Sequence, residues 1–176
     1  HVKYSSPMGE SNHILKHMLY MCEINSKNVK ISKQIFGPNA NICCCDFLNE
    51  EVKWRKQFGR DKFDIIIGNP PWNDSKTGKQ EGSRAKNSLW DKFIFASLEL
   101  LNKNGFIGFI NPAQWRGLGP EYHKVWDAFK SKQLVYLHIY SKKQGQTLFG
   151  VGSRFDLYIL KNENNNTISN VKIFKF

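Results

Sequence analysis

The chain has 176 residues, 40% of them hydrophobic, which is enough to bury the core of one globular domain. Its 26 lysines and arginines exceed its 15 acidic residues, and the net charge of +11 favours a polyanionic partner, nucleic acid before an acidic membrane surface. No apolar run reaches the roughly 18 residues of a membrane helix, and the four cysteines, three of them consecutive, form neither a CxxC pair nor a zinc pattern.

These features predict a single domain over residues 1–176 with no metal site and no membrane contact. The consecutive cysteines are typical of small buried hydrophobes in a reducing compartment, so we expect a cytoplasmic protein.

The N-terminal segment predicts a short strand over residues 2–5, followed by a loop that contains Pro7, Gly9 and Asn12. The dinucleotide pattern G-x-G-x-x-G is absent from this loop. Only nine residues separate Gly9 from Leu19, fewer than a crossover between parallel strands usually takes. We therefore expect that residues are missing within the segment 5–19.

Two strands that end in acids follow in the chain. Residues 19–24 predict a strand with Glu23 at its end, where nucleoside-binding α/β folds place an acid on the two ribose hydroxyls. Residues 27–36 predict a helix capped by Asn25 or Ser26. Residues 42–45 predict the second strand, which leads into Asp46 and Phe47, and residues 50–58 predict a short helix.

Residues 64–67, Asp-Ile-Ile-Ile, predict a fully buried parallel strand that stops at Gly-Asn-Pro-Pro-Trp. Open α/β sheets bind their ligands beyond the carboxyl ends of such strands. Pro70 and Pro71 fix the backbone, the Asn69 amide offers an acceptor and two donors, and Trp72 offers a flat face to a nucleobase. This arrangement suits an exocyclic amine held by the Asn69 side chain and the Pro70 carbonyl.

Asn-Pro-Pro-Trp after a hydrophobic strand resembles the motif of the amino-group (N6-adenine) DNA methyltransferases of restriction-modification systems. The resemblance implies direct methyl transfer from S-adenosylmethionine to the N6 amine of adenine in DNA, with catalytic residues Asn69, Pro70, Pro71 and Trp72. It also implies that Asp46 holds the exocyclic amine of the cofactor adenine, while Phe47 and Phe93 either pack on that adenine or fill the core. The implied cofactor-binding residues are Gly9, Asn12, Glu23, Ile24, Asp46, Phe47, Asn69 and Phe93.

A polar loop is predicted over residues 73–88. Residues 76–92 carry five basic residues against two acids, and this charge suits either contact with DNA phosphates or simple solvation. The remaining pattern predicts helices over 89–102 and 120–131 and strands over 106–110, 134–140, 153–160 and 168–174. The short connection before 153–160 makes that strand antiparallel to its predecessor, with Phe149 in a glycine-bounded loop between them.

The alternation of strands and helices indicates an α/β fold with a mostly parallel sheet. The resemblance implies a three-layer, seven-stranded, Rossmann-like methyltransferase sheet with an antiparallel terminal hairpin. Only 16 residues follow Leu160, too few for a target-recognition domain, so we expect either a fragment or a separate specificity subunit.

Two alternative functions stay open at this point. A methyltransferase of the same fold could act on a protein glutamine or an RNA guanine amine, because those enzymes also use Asn-Pro-Pro-Tyr. A non-catalytic nucleic-acid-binding relic would fit the sparse glycine loop.

Overall fold

The computed structural model describes residues 11–73, 88–117, 119–150 and 152–164, and the chain forms two compact units, His1–Asp61 and Lys62–Phe176. Several predicted features lie outside the described residues: Gly9, the strand over 2–5, most of the polar loop over 73–88 and the strand over 168–174.

Two parallel strands, β1 (Tyr20–Glu23) and β2 (Asn41–Cys44), form the sheet of the first unit. A π-helical segment, Ile14–Met18, precedes β1, and helix α1 (Ser26–Phe36) connects the strands. The Asn25 side chain accepts a hydrogen bond from the Lys27 backbone N–H at 2.9 Å, which confirms Asn25 as the cap of α1. Helix α2 (Glu51–Phe58) follows β2 and buries Trp54.

Four strands form the sheet of the second unit, in the spatial order β3-β4-β6-β5. They are β3 (Phe63–Gly68), β4 (Leu101–Pro112), β5 (Lys132–Tyr140) and β6 (Phe155–Asn164). Strands β3 and β4 are parallel, and β6 is antiparallel to both β4 and β5. The predicted antiparallel strand is therefore confirmed, and the carboxyl ends of β3, β4 and β5 lie at one edge of the sheet.

Three helices accompany this sheet: α3 (Trp90–Leu100), α4 (His123–Ser131) and α5 (Lys142–Phe149). Two 3-10 turns, Ala113–Arg116 and Pro120–Tyr122, lie between β4 and α4. Helices α3 and α4 pack on the sheet through one cluster of buried side chains: Trp90, Ile94, Leu101, Ile107, Phe109, Trp115, Val125, Phe129, Leu137, Tyr158 and Leu160. The core of the second unit thus lies between its sheet and these two helices.

The prediction that the isoleucine strand is fully buried is wrong. Ile66 packs against the core cluster, but Ile65 is 66% exposed and Ile67 is 76% exposed. Successive side chains of a strand point to opposite faces. Only the face that bears Ile66 meets the cluster built with α3 and α4.

Strand β4 begins at Leu101, where a helix end was predicted. Asn104 adopts a positive φ of 64°, and the pairing with β3 shifts register between Phe63 and Ile65. A Cβ on Gly105 would lie 2.9 Å from the Asp64 carbonyl oxygen, so the close approach of the two strands requires glycine here. The Asn-Gly pair thus belongs to an irregular stretch of β4 and does not cap α3.

The order of elements is that of an α/β fold, as predicted from the sequence. The seven-stranded, three-layer sheet stays a prediction, as does the terminal hairpin, whose second strand lies outside the described residues. No helix in the described part of the chain is long and apolar enough to cross a membrane. Cys43 and Cys45 are buried as predicted, whereas Cys44 is exposed on the other side of β2.

Candidate active site

The loop that follows β3 lines an open cleft at the carboxyl edge of the second sheet. The cleft has a volume of about 280 Å³, and its lining residues are Asn69, Pro70, Pro71, Trp72 and Phe149. The structure therefore brings all four predicted catalytic residues together. The Asn69 side chain is exposed, Pro70 is buried and Trp72 is half-buried, so a polar amide and an aromatic face are offered to a ligand while the loop is anchored.

Backbone contacts with residues 88 and 89 hold the loop at Trp72. Its carbonyl oxygen accepts a hydrogen bond from the Leu89 N–H at 3.1 Å, and Asn73 forms an antiparallel bridge with Ser88. The Trp72 ring packs against the core cluster of the second unit. Residues 72–73 and residues 88–89 thus lie side by side.

Aromatic side chains continue beneath the cleft. The ring centroid of Phe155, which is 1% exposed, lies 6.4 Å from that of Trp72 and 5.2 Å from that of Phe149. Tyr140 stacks on Phe155 with centroids 4.4 Å apart and an interplanar angle of 11°. The layer of side chains beneath the cleft is therefore apolar and closely packed.

Phe149 is the cleft residue that the sequence interpretation missed, because the segment was predicted to be a loop and forms α5. Ser141 begins this helix with a capping box: its hydroxyl accepts from the Gln144 N–H, and the Gln144 side chain accepts from the Ser141 N–H at 2.8 Å. Gly150 ends it at φ 67°, the left-handed conformation that glycine favours. Gly145 argues against a helix here, but the Ser-x-x-Gln capping box and the C-terminal glycine could have predicted one.

An ion pair with a buried carboxylate lies at the same sheet edge, one residue from Phe155. The Arg116 guanidinium donates two hydrogen bonds to the Asp156 carboxylate, at 2.8 Å and 3.2 Å. Burial raises the pKa of Asp156, and the Arg116 charge opposes that rise. The pair ties the turn after β4 to the start of β6.

A buried hydrogen bond between β6 and β4 lies beside this ion pair. The Tyr158 hydroxyl donates to the Asn111 side-chain oxygen at 2.6 Å. Burial, followed by the charge of Asp156, raises the pKa of Tyr158 well above its ordinary value, so its hydroxyl stays protonated and can donate.

The predicted cofactor acids come together in the first unit. Glu23 pairs in register with Cys44, so Glu23 and Asp46 both lie at the carboxyl edge of the β1-β2 sheet. Glu23 accepts hydrogen bonds from the Asn25 N–H at 2.7 Å and from the Asn28 side chain at 3.4 Å. Both residues are only partly buried, and Glu23 retains acceptor capacity because an ionised carboxylate has about four lone-pair positions.

Asp46 also shapes its own turn. Its carboxylate accepts from the Leu48 and Asn49 backbone N–H groups at 3.0 Å and 3.3 Å and from the Asn49 side chain at 2.8 Å. The Phe47 ring stacks on Trp54, with centroids 5.7 Å apart. This contact fits the core-filling alternative for Phe47 and occupies one side of its ring.

The remaining predicted cofactor residues are spread over both units. Asn12 and Ile24 are exposed in the first unit, and Gly9 lies outside the described residues. Phe93 is half-buried against the core cluster of the second unit. Among the described residues, no group of three or more histidines, cysteines, aspartates or glutamates could hold a metal ion.

Comparison with known protein families places this geometry in context. The family model of the Eco57I restriction-modification methylase matches residues 9–145, which include β3 and the Asn-Pro-Pro-Trp loop. The chain belongs to this family. The resemblance indicated by the motif is thereby confirmed.

Two curated relatives of this restriction-modification methylase chain are similar in sequence. The type II methyltransferase M.VspI of Vibrio sp. (strain 343) is 28% identical over 141 residues, which cover 70% of the chain and 32% of M.VspI. An uncharacterized adenine-specific methylase of Mycoplasma pneumoniae is 36% identical over 65 residues, 37% of the chain and 15% of that protein.

The M protein of the type I restriction enzyme EcoKI shares the fold, with a TM-score of 0.65 and 11% identity over 89% of the chain and 33% of the M protein. The chain thus spans about a third of the length of M.VspI and of the EcoKI M protein.

Proposed function

We propose that this chain is the catalytic part of a site-specific DNA methyltransferase that transfers a methyl group from S-adenosylmethionine to the N6 amine of adenine. The observation that carries the proposal is the cleft at the end of β3, where the exposed Asn69 amide and the aromatic side chains of Trp72 and Phe149 line one space. That combination suits a flat base with an exocyclic amine.

In the proposed reaction, Asn69 activates the amine. The N6 lone pair of adenine is conjugated into the ring and is a poor nucleophile. Hydrogen bonds from N6–H to the Asn69 side-chain oxygen and the Pro70 carbonyl draw the nitrogen towards tetrahedral geometry and free the lone pair. The protein thus contributes orientation and electrostatics, while the electrophilic methyl group comes with the cofactor.

Trp72 and Phe149 receive the base once it has left the helical stack. Extrusion of a base from duplex DNA costs a few kcal/mol, and stacking on an aromatic side chain offsets part of that cost. Phe149 is 47% exposed, so its ring is accessible to a ligand although it contacts Phe155. The two side chains form the walls against which the base is held.

Glu23 and Asp46 fit the role of cofactor ligands. Two neighbouring acceptor oxygens match two vicinal hydroxyls, and a second carboxylate matches an exocyclic amine. Both acids stand at strand ends and are partly buried, and Glu23, which accepts two hydrogen bonds, retains acceptor capacity. S-adenosylmethionine would supply the methyl group, and these residues would hold its adenosine part.

DNA is the proposed partner, and the chain's charge supports this choice. Because the chain spans about a third of its relatives, we propose that sequence recognition resides in a further domain of a longer protein or in a separate specificity subunit.

The test uses the full-length protein with labelled S-adenosylmethionine and, in parallel, plasmid DNA, total RNA and a cell lysate depleted of nucleic acid. We expect label to enter DNA only, at sites that modification mapping then identifies. Label in RNA or protein, or cofactor binding without transfer to any substrate, would overturn the proposal.

A further inference from the structure

Phe155 lies beneath the cleft and contacts both of its aromatic walls. Trp72 belongs to the loop after β3 and Phe149 ends α5, yet both pack on this one ring, at 6.4 Å and 5.2 Å between centroids. Phe155 itself is not among the residues that line the cleft. It is a packing contact that the two walls share.

Neighbouring strands hold Phe155 in place. Its backbone pairs with Pro112 of β4 and with Tyr140 of β5, so it sits between two strands of the sheet. The Tyr140 ring stacks on Phe155, and His138 stacks on Tyr140 with centroids 4.1 Å apart. This aromatic stack follows β5 towards the sheet edge and ends beneath the cleft.

The adjacent residue fixes the same position from the other side. Asp156 is fully buried, and its carboxylate is held by the Arg116 guanidinium at 2.8 Å. A residue between a stacked ring and a buried, ion-paired carboxylate has little freedom to shift. Displacement of Phe155 would require disrupting one of these contacts.

We propose that Phe155 is a positioning residue that sets the spacing of Trp72 and Phe149 and so fits the cleft to a flat aromatic base. The inference rests on the proposed function. A base between two walls needs each wall at van der Waals distance, about 3.5–4.0 Å, to gain full stacking. In a close-packed interior the loss of a buried ring shifts its neighbours, so an altered Phe155 would change the gap without touching the base.

The experiment compares Phe155→Leu with Phe129→Leu in the full-length protein. Phe129 is a matched control because it is 4% exposed in the same unit and packs on Trp115 and Tyr158, with centroids 4.4 Å and 4.7 Å away. Both variants lose the same atoms from buried positions, so both should have a lower midpoint of thermal unfolding than the wild type. Only Phe155→Leu should disturb the cleft.

Base capture is read with duplex DNA that carries 2-aminopurine at the mapped methylation site, because the fluorescence of this analogue rises when it leaves the stack. We expect Phe155→Leu to weaken capture by about 5-fold, the lower end of what one base–aromatic stack contributes, because both walls remain. The KM for DNA should rise more than kcat falls. Phe129→Leu should leave capture unchanged at temperatures where it is folded.

Tyr140→Leu provides a second test that does not alter Phe155 or either wall. It removes the half-buried ring on which Phe155 stacks and should weaken capture in the same direction, to a smaller extent. If Phe155→Leu does not fold, Tyr140→Leu alone tests the positioning role. Suppose that the wild-type protein captures the base. If Phe155→Leu then captures it as well as Phe129→Leu does, or if Tyr140→Leu captures it as well as the wild type does, the positioning role alone is overturned. A wild-type protein that captures no base would overturn the proposed function, and the positioning role with it.

Discussion

Asn69 is the polar side chain among the five residues that line the cleft, and it is exposed to the space that a ligand would fill. We predict that Asn69→Ala abolishes methyl transfer while leaving affinity for S-adenosylmethionine nearly intact, because we propose that the amide acts on the acceptor base. Transfer of labelled methyl groups to DNA measures the first quantity, and titration calorimetry measures the second.

Asn73→Ala is the matched control for this substitution. Asn73 lies on the same loop with an exposed side chain, and its bridge to Ser88 is made by the backbone. The variant should retain most of the wild-type rate. If Asn69→Ala lost cofactor affinity and rate in equal measure, Asn69 would belong to the cofactor site and its assigned role would be wrong.

Trp72 presents a half-buried ring to the cleft. We predict that Trp72→Ala weakens productive base binding by about 1–3 kcal/mol, the usual contribution of a base–aromatic stack, and that Trp72→Phe has a mild effect. The same base-analogue fluorescence measures both variants. Normal capture by Trp72→Ala would show that the ring does not stack on the base.

Asp156 makes the stability of the second unit depend on pH. Burial raises the pKa of Asp156 in the folded protein above its ordinary value of 3.8. At pH values between 3.8 and the raised pKa, the folded protein therefore binds more protons than the unfolded chain. The contribution of this group to the free energy of unfolding therefore increases as pH falls through that window.

Urea unfolding of the wild type and Asp156→Asn across this range tests the prediction. The difference between their free energies of unfolding should shift in favour of the wild type as pH is lowered from neutrality towards 3.8. A difference that does not vary with pH would mean that the folded-state pKa of Asp156 is unperturbed.

At the scale of elements, helix α5 places Phe149 at the cleft. A capping box at its start and Gly150 at its end set the limits of this helix. We predict that Ser141→Ala destabilises α5 by about 0.5–2 kcal/mol, because the backbone N–H of Gln144 loses its cap. Hydrogen exchange of the α5 amides measures this local stability. Base capture should weaken in parallel, because Phe149 is in the last position of the helix.

Thr147→Ala is the control within the same helix. The Thr147 hydroxyl donates to the Lys143 carbonyl inside α5, and alanine has the higher helix propensity, so amide exchange should stay the same or slow. Faster exchange in Thr147→Ala than in Ser141→Ala would show that the capping box does not hold the helix.

The sequence determines local elements more completely than it determines their surroundings. The strand that ends at Gly68 could be predicted, because its β-branched run and the following prolines act through the backbone alone. The exposure of Ile65 and Ile67 could not, because burial of a strand face depends on which helices pack there. Helix α5 was missed because Gly145 argues against a helix when the caps are not weighed with it.

At the scale of the whole molecule, charge is the sequence property that points to DNA. In the second unit, Lys142 and Lys143 are exposed directly after the carboxyl end of β5, at the sheet edge that bears the cleft. Neither forms an ion pair with another described residue. Lys103 is also exposed but lies near the amino end of β4, at the opposite edge.

We predict that Lys142→Ala and Lys143→Ala each reduce the slope of log affinity against log salt by about 0.9 for duplex DNA, the value for one phosphate contact. Lys103→Ala should leave the slope unchanged. Fluorescence anisotropy of labelled duplex DNA over a salt series measures the affinity and its salt dependence. Equal effects at both edges would indicate a non-specific response to net charge.

The chemical identity of the methylated nucleoside tests the central proposal most directly. Plasmid DNA treated with the full-length protein and S-adenosylmethionine is digested to nucleosides, which are resolved by mass spectrometry, with Asn69→Ala as the inactive control. We predict N6-methyladenine from the wild-type reaction and none from the variant. Methylcytosine in its place, or N6-methyladenine formed equally by Asn69→Ala, would contradict the account.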